Sequence, residues 1–120
     1  MVKWWKHLGT REFFEVYCKL IHTAKARTTT HYEDIAQIMG LPLSGNYMAR
    51  EVGEMLGIIS TVEHFLGRPM LSVVVVRQDT GEPGNGFFEL AENLGKFNPN
   101  SEGKSSFKEQ ELQNVYETWR

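Results

Sequence analysis

A chain of 120 residues and 13.8 kDa has the size of one domain. Hydrophobic residues at 41% and aromatics at 12% are enough for a true core, while the longest apolar run, Val73–Val76, falls far short of the ~20 residues a membrane span needs. The net charge of −2 is uneven, residues 1–50 carrying +3 and residues 51–120 carrying −5, which argues against strong non-specific DNA affinity because a nucleic-acid binder usually has a basic surface.

In chain order, Thr10 can cap a helix running to about Thr23, with Phe13, Phe14, Tyr17, Leu20 and Ile21 on one face. Arg27–Thr30 is β-favouring and predicts a short strand. Thr30 and Glu33 form a Thr-x-x-Glu capping box that opens a short helix with Ile35, Ile38 and Met39 inward, stopped by Gly40. After the turn Leu41–Gly45, residues 46–59 form a second helix, so that the pair is a helix-turn-helix candidate.

Met70–Arg77 predicts a strand buried on both faces. The segment from Gln78 to Gly86 is dense in turn residues, with Pro83-Gly84 suited to the centre of a type II turn. Phe87–Leu94 predicts a helix closed by Gly95. A polar linker follows, and Ser106 with Glu109 caps a last helix bearing Phe107, Leu112, Val115, Tyr116 and Trp119.

The helix over 46–59 has an oddity. Met48, Val52, Met55, Leu56 and Ile59 form an apolar stripe, and beside it run Ala49, Gly53 and Gly57, spaced by four, with Arg50 just beyond. An interior glycine costs about 0.8–1 kcal/mol relative to alanine, so two in one smooth row imply that something lies close against them.

Residues 10–95 resemble the C-terminal DNA-binding domain of the alkylguanine-DNA alkyltransferases and the alkyltransferase-like proteins. The likeness rests on Thr30-His-Tyr32-Glu-Asp-Ile35-Ala36-Gln-Ile-Met-Gly40, on Ala49-Arg50-Glu51-Val52-Gly53, on Pro69-Met70-Leu71-Ser72-Val73-Val74 and on the glycine-rich turn and short helix of Gly84–Gly95. It implies a winged helix-turn-helix whose recognition helix enters the DNA minor groove, with Ala49, Gly53 and Gly57 allowing close approach. It further implies that Arg50 fills the gap left by a flipped base, and that Tyr32 stands against the flipped nucleotide's phosphate. Met70 occupies the position of the alkyl-accepting cysteine, and Leu71 and Ser72 replace the His-Arg after it. A thioether provides no thiolate nucleophile, so no alkyl transfer, no catalytic residue and no cofactor are expected.

The same residues admit plainer roles. The small-residue row equally suits a neighbouring helix of the same fold, Arg50 a solvated or ion-paired position, and Tyr32 simple packing. Cys18, the only cysteine, excludes an intrachain disulfide, suggests a reducing compartment and reads as an inert, partly buried thiol. His7, His22, His31 and His64 lack metal-ligand spacing, so no metal site is expected, and neither paired carboxylates on one helix nor a phosphate-binding loop is visible. The start, MVKWWKHLGT, lacks the apolar region of a secretory signal, so a cytoplasmic location without a membrane partner is expected. Trp4, Trp5 and Trp119 sit at the two ends, where they could pack the termini together or form a dimer contact.

The expected fold is α+β, with a winged helix-turn-helix core and small sheet in residues 1–95. Residues 96–120 supply a polar linker and an added C-terminal helix packing on the same domain. The expected function is non-catalytic DNA binding through the minor groove of double-stranded DNA. Lys25, Arg27 and Arg68 are candidate phosphate contacts because they flank the helix-turn-helix. The alternative is a protein-interaction module, homodimeric or with another partner, that makes no DNA contact.

Overall fold

The computed structural model describes residues 6–120, so Trp4 and Trp5 lie outside the described residues. Helix α1 (Arg11–Lys25) begins as its capping residue dictates, the Thr10 hydroxyl oxygen accepting the Phe13 N–H at 3.1 Å. Its buried line is Phe13, Val16, Leu20, Thr23 and Ala24, with Tyr17 and Ile21 packed against the core, so that of the expected face only Phe14 departs. Phe13 and Phe14 point about 100° apart on a helix and cannot both face the core; Phe14 is the one left outside, at 58% exposure. Cys18, one turn on from Phe14, is exposed as well rather than partly buried.

Strand β1 (Thr30–His31) starts later than expected because Arg27 has a left-handed φ of 54°, which no strand accommodates. Helix α2 (Tyr32–Met39) follows at once. Its N-terminal box uses Asp34 in place of Glu33, the carboxylate accepting the His31 N–H at 3.0 Å and the Thr30 hydroxyl at 2.8 Å. Gly40, at φ 72°, ends the helix as expected.

Helix α3 (Asn46–Phe65) runs 20 residues, past the expected end near Ile59, because the first residue that must leave helical geometry is Gly67, at φ 78°. Its predicted stripe of Met48, Val52, Met55, Leu56 and Ile59 is buried throughout.

Met70 to Val76 is buried in full but is not a continuous strand. Leu71–Val74 form a 3-10 turn, and only Val75–Val76 (β2) pair, in parallel, with Thr30 opposite Val75 and His31 opposite Val76. A buried strand needs hydrogen-bond partners along its whole edge, and β1 offers two residues. The rest of the segment coils and is satisfied locally. The Val73 N–H reaches the Met70 carbonyl, the Ser72 N–H reaches the Ser60 hydroxyl oxygen at 3.1 Å, and the Met70 N–H reaches the Glu111 carboxylate at 2.9 Å. The turn packs against α1, α3 and the last helix and forms the centre of the core.

Past β2 the chain reverses at Arg77–Glu82, where Gly81 takes the left-handed conformation. Gly84 lies at φ −71°, so the expected type II turn at Pro83-Gly84 does not form. Helix α4 (Asn85–Asn93) leaves this turn directly. Helix α5 (Lys104–Thr118) is capped by Gly103, three residues before the Ser106 of the expected Ser106–Glu109 box. Phe87, Phe88, Phe97 and Phe107 cluster with ring centroids 5.0–5.9 Å apart and join α4 to α5; such aromatic pairs add about 0.5–1.5 kcal/mol each beyond their buried area. The described residues thus form a mixed α/β structure of five helices and one two-stranded parallel sheet. None of these helices is long and apolar enough to cross a membrane.

Candidate functional site

Helix α3 has two working sides. One buries the apolar stripe, and the other presents the small-residue row. Ala49 and Gly53 on that row are exposed and Gly57 is half-buried. A Cβ placed on Gly53 would meet nothing within 4 Å, so neither packing nor backbone geometry requires glycine there. The row borders a cleft of about 280 Å³, whose other walls come from Tyr32 of α2, Ser72 of the 3-10 turn and Phe87 and Leu90 of α4. A second, wider cleft of about 580 Å³ continues along Tyr32, Ala49, Gly53 and Gly86 to Arg77 and Asp79. Together they form a groove running beside the smooth side of α3.

Tyr32 stands at the junction of the two clefts. Its hydroxyl oxygen accepts the Gly84 N–H at 3.1 Å. Burial raises its pKa above the ordinary tyrosine value, so at neutral pH the hydroxyl keeps its proton and can donate to a ligand in the groove. Arg50 lies at the rim with its side chain 62% exposed, 3.5 Å from Glu51 and over the Tyr47 ring. These are weak restraints that leave the guanidinium free to turn.

Below the cleft, the Ser60 and Ser72 hydroxyls are bonded at 2.6 Å, fixing the 3-10 turn to α3. Met70 is fully buried and does not border the cleft. Ser72 is the residue of that segment which reaches it.

The structure therefore gathers Tyr32, Ala49, Arg50, Gly53 and Gly57 around one cleft, and leaves Lys25, Arg27 and Arg68 away from it. Lys25 is exposed at the end of α1. Arg27 lies over Tyr116, near Glu117. Arg68 makes two 2.8 Å hydrogen bonds to the fully buried Glu63, which also accepts the Tyr17 hydroxyl, and its guanidinium stacks on Trp119. Arg68 is the counter-ion of a buried carboxylate.

A second cluster was not anticipated. Glu51 and Glu54, three apart on α3, form a carboxylate pair on one helix face, and His7 from the chain before α1 packs against both. Glu51-x-x-Glu54 was the sequence signal for it. The arrival of His7 depends on how residues 6–10 pass over α3. No family model, curated protein or solved structure matches the chain.

Proposed function

We propose that the chain is a non-catalytic, alkyltransferase-like DNA-binding domain of winged helix-turn-helix type, whose α3 seats its small-residue side in the minor groove of double-stranded DNA. The observation that carries this is the open surface of small residues at Ala49 and Gly53 beside a cleft bordered by Tyr32 and Arg50. The minor groove is about 6 Å wide and admits a helix only where the facing side chains are small. Arg50, loosely held at the rim, is placed to enter the stack or lie along the groove. The protonated Tyr32 hydroxyl supplies a donor for a phosphate oxygen. An extruded base offers a flat apolar face to Phe87 and Leu90, which offsets part of the few kcal/mol that unstacking costs. With Met70 sealed in the core, no nucleophile of the family's kind faces that base.

A second assignment, a protein-interaction or homodimerising module, is favoured by one observation: the groove has mixed charge, with Glu33, Glu54 and Asp79 beside Arg50 and Arg77. Anisotropy titration of a short labelled duplex separates the two. Micromolar binding at ~50 mM salt that weakens at ~200 mM is expected for DNA, with clear loss in Arg50→Ala. Absence of binding at ~50 mM salt removes the DNA assignment.

A further inference from the structure

We propose that His7, Glu51 and Glu54 bind a divalent transition-metal ion, Zn2+ by preference, at the edge of the α3 cleft. The proposal is independent of whether the groove takes DNA. One ligand atom from each residue lies within 4.8 Å of the other two. His7 Nε2 is 3.6 Å from a Glu51 oxygen and 4.0 Å from a Glu54 oxygen. Ligands at about 2.0–2.1 Å from a tetrahedral Zn2+ stand roughly 3.3–3.4 Å apart, so small side-chain rotations bring all three into range.

The second observation concerns His7 itself. Only 9% of it is exposed, and among the described residues its Nε2 is buried with no hydrogen-bond partner although it points between two carboxylates. A buried imidazole nitrogen left unpaired is destabilising, and a shared cation would satisfy it together with both carboxylates. Without a metal, the Lys6 ammonium partly fills this role, 2.9 Å from Glu51 and 3.1 Å from Glu54. It is half exposed on a flexible stem and can swing out when a doubly charged ion arrives. One imidazole among the donors favours Zn2+ over Mg2+ and Ca2+, which take all-oxygen shells. Three protein ligands leave a position for water or an anionic oxygen, and since Glu54 also borders the cleft, the ion would stand at its rim.

Isothermal titration of the full chain with ZnCl2, and separately with MgCl2, tests this. One equivalent of Zn2+ is expected to bind at micromolar concentration, with no saturable Mg2+ heat. His7→Ala and Glu54→Gln should each weaken Zn2+ binding at least ~10-fold, while replacing His22, His31 and His64 together by Gln leaves it unchanged. Co2+ should give the visible bands of a four-coordinate site in the wild type and lose them in Glu54→Gln, a near-isosteric change that retains the fold should His7→Ala not fold. Absence of saturable Zn2+ binding, wild-type affinity in both ligand variants, or loss of binding with the three other histidines would each overturn the site. No readout uses DNA, so failure of the groove to bind a duplex leaves it standing.

Discussion

Gly84 and Tyr32 approach so closely that a Cβ on Gly84 would lie 2.8 Å from the Tyr32 hydroxyl oxygen, and 3.5 Å from the ring carbon that bears it. The backbone of Gly84, at φ −71° and ψ 169°, is open to any residue, so only the hydroxyl demands glycine. Gly84→Ala is expected to displace Tyr32, break its hydrogen bond and cost about 1 kcal/mol. In a Tyr32→Phe background the same change meets ordinary van der Waals contact and should be neutral or slightly stabilising. Urea denaturation of the four proteins in this cycle measures the coupling. Additive effects would show that the two residues do not hold each other.

Gly53 offers a substitution that separates fold from function. A Cβ there meets none of the protein's own atoms within 4 Å, so Gly53→Leu, which replaces an interior glycine with a strong helix former, should raise helix stability by about 0.5–1 kcal/mol. The same side chain would stand in the proposed groove and abolish duplex binding. A variant that is more stable and still binds duplex DNA would remove α3 from the interface.

The Glu63–Arg68 pair predicts a stability effect where a rim residue would show only a binding effect. Glu63 is fully buried and paired with Arg68 at 2.8 Å. Arg68→Ala should cost about 3–5 kcal/mol, the range for stranding one partner of a buried pair. Arg68→Lys should recover part of this, since an ammonium lacks the two-pronged geometry. Chemical denaturation gives both values. A change below about 1 kcal/mol in Arg68→Ala would place the pair among solvent-screened surface bridges.

Asp34 supplies a pH dependence with a defined sign. The Thr30 hydroxyl, and next the His31 N–H, hold its carboxyl below the usual carboxylate range. A folded pKa below the unfolded value means a contribution fully present above about pH 4 and lost as pH falls through the folded value. Unfolding midpoints measured from pH 6 down to pH 3 should therefore fall, and fall less in Asp34→Asn. Parallel curves for the two proteins would exclude Asp34 as a source of the acid sensitivity.

Several signals spanning one turn were legible in the sequence, though not the Ser106–Glu109 box or the Pro83-Gly84 turn. The Thr10 cap, the Gly40 stop and the α3 stripe each depend on residues within a few positions, and all form as expected. Around α2 the sequence located the helix start but not the residue that caps it, because Glu33 and Asp34 are neighbouring carboxylates and only the position of Thr30 in a strand selects Asp34. The β-branched run Val73–Val76 misled for a related reason. Its propensity favours a strand, but a strand requires a long partner edge, and β1 ends after two residues.

The amino-acid order by itself determined where α1 begins, where α2 ends, and that α3 carries an apolar stripe and a smooth row next to Arg50, because these follow from side-chain size and helical periodicity alone. Only the tertiary structure decided that this row stays open and meets Tyr32 and Phe87 across a cleft. It also decided that Arg68 is consumed by Glu63 and that His7 lands between Glu51 and Glu54. Apart from the Glu63–Arg68 pair, five positions apart, these outcomes join residues distant in the chain. Their approach is set by how helices pack over the buried 70–76 segment, a competition for core volume and hydrogen-bond partners that no local pattern encodes.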